Sequence, residues 1–220
     1  MNLLYLYLSG KLYFLTSDRA PIANPEIHYF SIANVFVYIN FYLDFGPNCI
    51  AHIIRFCDLI NAKINHPELK NKRICLFSTN EPDKRSNAAF LICAYMLLVH
   101  RRVPEEAFKP LLGMGAPFVP YRDAGYGQAT YHITIPDCLR GLNRALQIGL
   151  FNLDNFDLEQ YEFYEKVENG DMNWITDKFL ALASPKDDPA KHSYDLRNKT
   201  KMSSTFSGWG FGSYGNEPAL

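Results

Sequence analysis

Residues 73–88 read Arg73-Ile74-Cys75-Leu76-Phe77-Ser78-Thr79-Asn80-Glu81-Pro82-Asp83-Lys84-Arg85-Ser86-Asn87-Ala88, and the fold turns on this stretch. Its first part is a short apolar run closed off by polar residues, the signature of a buried strand. Ser78 to Lys84 is polar and reads as a loop. From Ser86 onward, Ala88, Leu91, Ile92, Tyr95, Met96 and Val99 recur at helical spacing and mark one face of a long helix. Strand, loop, helix is the layout of a phosphate cradle, in which loop amides point at an anion held near a helix N-terminus.

The same alternation extends outward. Leu12–Leu15 and His28–Ser31 are short aromatic and apolar runs that read as strands. Asn48–Ile60 places Ile50, Ile53, Ile54 and Cys57 at helical spacing, with Pro47 just ahead. Pro104–Leu112 reads as a shorter helix with Glu105 and Glu106 in its first turn, where the dipole favours them. A Pro/Gly/Tyr-rich loop follows over 113–131. Thr134-Ile135-Pro136-Asp137 then resembles a cap with proline at the first helical position, and Leu139, Leu142 and Leu146 continue that helix. These elements predict an α/β fold with a mainly parallel central sheet flanked by helices. Residues 1–185 form the expected domain, with an acidic helix over about 154–171. Residues 186–220 form an extended tail rich in Ser, Gly and aromatic residues.

Composition narrows the functions. Hydrophobic residues make up 48% and aromatics 15% of 220 residues, enough for a real core. A net charge of -1 disfavours nucleic acid, which selects a basic surface. The apolar opening is broken by Ser9, Gly10 and Lys11 and is too short to span a bilayer. The five cysteines (Cys49, Cys57, Cys75, Cys93, Cys138) lack any C-x-x-C pair and read as buried thiols of a reducing compartment. The six histidines show no metal spacing, so neither metal nor cofactor is expected; His28 and His52 read as packing or capping residues.

A cysteine-phosphatase cradle needs a Cys at the strand end, five residues, and an Arg that clamps the phosphate oxygens. Thr79 to Arg85 has that spacing and the arginine, but threonine stands where the thiolate belongs. Without an adjacent base its hydroxyl is a poor nucleophile. Glu81 and Asp83 place negative charge where a dianion would sit, and Pro82 removes an N–H. Cys49–Arg55 and Cys138–Arg144 also satisfy the bare spacing, but both lie in predicted helices whose amides are already bonded. Asp123, beside Arg122, falls in a loop and is expected to stabilise a turn.

The chain resembles the N-terminal domain of the cell-division-cycle fourteen dual-specificity phosphatases. The strings that carry the resemblance are His28–Ile32, Phe41–Pro47, Arg85–Ile92, Pro104–Ala107, Tyr121–Ala124, Asp137–Leu139, Val167–Ile175 and Lys178–Ala181. They keep their order from about Leu12 to Pro185. The resemblance implies two tandem phosphatase-like domains: a first with a degenerate cradle and a second with the His-Cys nucleophile loop. A connecting helix joins them, and the residues here that match its acidic, peptide-binding patch are Glu162, Glu165 and Asp171. No His-Cys followed by a glycine-rich run and Arg occurs in these residues, so the second domain reads as absent and the chain as a non-enzyme. A solvated helix face remains the simpler reading of the acidic run.

The expected function is a catalytically inactive pseudophosphatase that binds protein partners, as a scaffold in a larger assembly of the cytoskeleton or ciliary axoneme, without membrane, nucleic-acid or small-molecule ligands. In the tail, Phe206, Trp209, Phe211 and Tyr214 are aromatic anchors suited to docking in partner grooves. The alternative is a substrate-recognition part that binds basic phosphoserine-proline peptides for a separate catalytic chain. A third reading, an active phosphatase, requires Cys49 or Cys138 as nucleophile.

Overall fold

The computed structural model describes residues 5–8, 10–176 and 178–182. It divides into two compact units, one ending at Arg144 and one beginning at Ala145. The boundary expected near Pro185 and the aromatic tail lie outside the described residues.

In the first unit, β1 (Tyr5–Leu8), β2 (Leu12–Thr16), β3 (Ile27–Phe30) and β4 (Arg73–Ser78) form one sheet in the order β1-β2-β4-β3. β4 runs parallel to both neighbours, pairing Leu12 with Ile74 on one side and His28 with Ile74 on the other; only β1 is antiparallel. The mainly parallel sheet is therefore as expected. Ile74, Cys75 and Leu76 are wholly buried, as a strand with neighbours on both edges and covered faces requires. Lys11, in the β1–β2 turn, donates to the carbonyls of Leu69, Lys70 and Lys72 at 2.7–3.0 Å, which fixes the chain as it enters β4.

Helix α1 (Ile50–Asn65) crosses between β3 and β4 and buries Ile53, Phe56, Cys57 and Ile60. Helix α2 (Pro82–Leu98) follows β4 and is buried nearly all round, from Arg85 to Leu98 with Asn87 half-buried. It touches α1, α3 (Pro104–Phe108), β2 and β4. The single face anticipated for it is too narrow. A helix enclosed on every side has no polar face to show in its periodicity.

The 113–131 loop holds a strand, β5 (Tyr121–Arg122), which pairs with β6 (His132–Ile133). Helix α4 (Ile135–Gln147) starts as Thr134 and Asp137 cap each other: Asp137 N–H donates to Thr134 Oγ1 at 3.3 Å and Thr134 N–H to Asp137 Oδ2 at 2.9 Å. Pro136 takes the second helical position, one later than expected. In the second unit, the continuous acidic helix expected over 154–171 is instead three pieces. A 3-10 turn at Leu153–Asn155 precedes α5 (Leu158–Glu165), and another at Val167–Asn169 follows it. Gly170 at φ +110° turns the chain into the hairpin of β7 (Met172–Trp174) and β8 (Leu180–Leu182). Asp157 caps α5, accepting from Gln160 N–H at 2.9 Å.

Candidate functional site

β4 ends at Ser78 and α2 begins at Pro82, so only Thr79–Glu81 lie between them. The helix starts four residues earlier than the sequence suggests, because Pro82 is preorganised for a first helical position. The stretch Thr79–Arg85 that matches the cradle spacing is therefore not a loop. Pro82, Asp83, Lys84 and Arg85 form the first turn of α2, and Arg85 N–H donates to Glu81 O at 2.8 Å.

The side chains of the stretch are committed to one another and to neighbours. Thr79 Oγ1 donates to Glu81 Oε1 at 3.3 Å, and Lys84 Nζ lies 2.7 Å from Glu81 Oε2. The lysine beside it lowers the Glu81 pKa, and the carboxylate raises that of Lys84. Asn80 Nδ2 donates to Asp18 Oδ1 at 2.8 Å. Arg85 is 7% exposed. Its Nη2 donates to Met114 O at 2.7 Å and its Nη1 to Pro117 O at 3.2 Å, with the guanidinium 4.0 Å from the Phe118 ring centre. Ser86 Oγ holds the same loop through Val119 O at 3.0 Å. The arginine that a cradle would aim at phosphate is engaged in holding the 114–118 loop against α2.

No cysteine stands at the junction. Cys49 precedes α1 as its N-cap, rather than lying within the helix as expected, and Cys138 sits in α4. Residues six apart on a helix are displaced by about 120° around the axis and about 9 Å along it, so Cys138 does not share a face with Arg144. Burial pushes the Cys57 and Cys75 thiols up to about 12, and that of Cys138 to about 11, away from the thiolate. Cys93 Sγ donates to Ala107 O at 3.3 Å.

Asp123 accepts from Thr130 Oγ1 at 2.9 Å and from Thr130 N–H, and Arg122 donates to Gly125 and Gly127 carbonyls. The pair closes the β5–β6 turn, as expected. His28 Nε2 lies 3.1 Å from Lys63 Nζ, and His52 Nδ1 lies 3.0 Å from Asn48 Nδ2.

Beside the junction lies a cavity of about 400 Å³, which sequence reasoning missed. It opens where β3 and β4 end, between α2 and the irregular segment 31–48, the crevice that α/β sheets offer to ligands. Within that segment Val35, Val37 and Ile39 are exposed while Phe36 and Tyr38 turn inward. Phe36 meets the rings of His52 and Phe56, and Tyr38 OH donates to Asp44 at 2.7 Å. Gly46 fixes the end of the segment. A Cβ there would collide with Asn87 Oδ1 and approach Tyr121 to 2.7 Å. The one signal in the sequence is Asp44, two residues before this glycine in the otherwise aromatic and apolar string Phe41–Pro47.

In the second unit, Glu162 and Glu165 are half-buried on α5, one turn apart, and Glu165 Oε1 accepts from Asn173 Nδ2. Asp171 is exposed, at φ +42°, and its N–H donates to Lys166 O at 3.1 Å. The turn after Gly170 thus returns Asp171 to the end of the helix that carries Glu162 and Glu165. Phe206, Trp209, Phe211 and Tyr214 lie outside the described residues.

Strand β4, the short junction and the enclosed helix α2 define a phosphatase-like α/β domain whose junction carries no sulfur nucleophile. A family model described as dual specificity protein phosphatase, N-terminal half, matches residues 6–145. Dual specificity protein phosphatase CDC14A of Mus musculus is 45% identical over 181 residues, 81% of this chain and 30% of the relative. The protein of the same name from Homo sapiens gives the same figures. Tyrosine-protein phosphatase CDC14 of Saccharomyces cerevisiae is 40% identical over 185 residues, 84% of this chain and 34% of the relative. The chain belongs to the dual-specificity phosphatase N-terminal-half family and corresponds to the N-terminal part of CDC14-type phosphatases. It spans about a third of the length of these relatives.

Proposed function

We propose that this chain is a catalytically inactive, protein-binding phosphatase domain that acts as a scaffold in a larger assembly. The observation that carries the reading is Arg85. The arginine six residues after Thr79 is buried beneath Phe118 and bonded to two carbonyls. Purified protein is expected to show no turnover of p-nitrophenyl phosphate above buffer, and Thr79→Cys is expected to leave it inactive. Hydrolysis by either protein overturns the reading.

Recognition of basic phosphoserine-proline peptides for a separate catalytic chain is the second reading. The turn that brings Asp171 back to the end of α5, where its N–H meets the Lys166 carbonyl, supports it. A cytoskeletal or axonemal setting rests on the aromatic tail alone. One affinity-capture experiment separates the two readings. Under the scaffold reading, deletion after Pro185 abolishes capture of the partner, and charge reversal at Glu162, Glu165 and Asp171 leaves it intact. Under the recognition reading the reversal weakens binding of a basic peptide about tenfold, and the deletion does not.

A further inference from the structure

We propose that the cavity beside the start of α2 receives an arginine side chain presented by a protein partner. The inference is independent of the acidic segment, since every residue it uses lies between Ser31 and Leu91.

The cavity presents acceptors. Asp44 and Asp83 bring carboxylates, and Ser78 adds a hydroxyl oxygen. Asn48, 4% exposed, also lines it and leaves its side-chain carbonyl oxygen without a partner, while the carbonyl oxygen of Asn87, another lining residue, packs against Gly46. The Asn48 NH2 is engaged by Phe36 O at 3.3 Å and His52 Nδ1 at 3.0 Å, and the Asn87 NH2 donates to Phe45 O at 2.6 Å. A guest that only donates would match this set, and guanidinium carries five N–H donors and no acceptor.

Charge points the same way. Asp44 is 4% exposed, and its partners are neutral donors: Tyr38 OH at 2.7 Å, Tyr42 N–H at 2.8 Å and Phe41 N–H at 3.0 Å. Burial alone would raise its pKa, but these hydrogen bonds outweigh burial and bring it down to about 2, so it is a carboxylate at neutral pH. Among the described residues no cation pairs with it. Buried charge is ordinarily paired. Lys84, which lines the same cavity, is bound to Glu81. Anionic guests are disfavoured by both carboxylates. The walls select arginine over lysine: the rings of Phe36, Tyr38 and Phe77 line the cavity, and a planar guanidinium stacks on aromatic faces better than a compact ammonium.

The test is a titration of the full 15N-labelled chain, followed by NMR, with N-acetyl-arginine methylamide, its lysine analogue and its neutral citrulline isostere. Arginine is expected to give saturable shifts confined to residues 31–48 and 77–91. Citrulline is expected to bind roughly tenfold more weakly, and Asp44→Asn to cost a similar factor. Asp83→Lys, at the start of α2, serves as the second variant should Asp44→Asn disturb the 31–48 segment. It is expected to abolish the arginine shifts while leaving the rest of the spectrum in place. Equal binding of citrulline or of lysine overturns the proposal. So does the absence of saturable shifts, shifts confined to 157–171, or undiminished binding by Asp83→Lys.

Discussion

Arg85 shows how position in the sequence and role in the molecule come apart. Its place six residues after Thr79 suits a phosphate clamp, yet its fork reaches Met114 and Pro117. Replacing it with methionine keeps the stem and removes both charged hydrogen bonds. The expected cost is about 3 kcal/mol in urea denaturation, since hydrogen bonds to charged groups contribute about 1.5–3 kcal/mol each and the carbonyls are left buried. Arg85→Lys recovers only part, because an ammonium does not span two carbonyls as the fork does. Asp44 gives a pH signature. Its folded pKa, about 2, lies below the ordinary 3.8, so folding favours the carboxylate. That contribution is complete above about pH 4 and is lost as pH falls toward about 2. Asp44→Asn is expected to flatten this acid limb of the urea midpoint, and an unchanged slope would refute the assignment. Neither role was legible in the sequence. Arginine declares its charge but not its partner, and Asp44 gains its partners only when the 38–44 turn closes on it.

Elements were read more reliably than residues, for a physical reason that differs from one to the next. β4 was legible because four apolar residues between polar ones fit only a strand buried on both faces. α1 was legible because its core side recurs at 3.6 residues. α2 was recognised but misplaced at its start. Pro82 was weighed as the loss of an N–H, whereas its fixed φ is what opens the helix. β5 and β6 have two residues each, too few for an alternating pattern to emerge. The acidic run 154–171 has charges at a helix-compatible interval, but Gly170 and the 3-10 turns interrupt it. The cap of α4 was legible to within one position. Thr134→Ala removes the acceptor for Asp137 N–H and is expected to cost about 1 kcal/mol, read as a lower thermal midpoint; Thr134→Ser should retain most of it.

At the scale of the molecule, the sheet order β1-β2-β4-β3 sets the strand ends of β2, β3 and β4 on one side, where a ligand crevice belongs in an α/β domain. Fold class and family follow from the order of motifs along the chain, since a core tolerates few alternatives once its central strand and enclosed helix are fixed. The cavity did not follow, because its lining is drawn from 31–48, 77–78 and 83–91 and no local pattern joins them. The junction between β4 and α2 has a final implication. Three residues separate strand from helix, and the amides a dianion would need are aligned along the axis of α2 instead of around a ring. Building a phosphate cradle at this junction is thus a problem of chain length before it is one of side-chain identity. A designer would have to unwind a full turn and draw Arg85 out from under Phe118, surrendering the anchorage of an entire loop to gain one binding site.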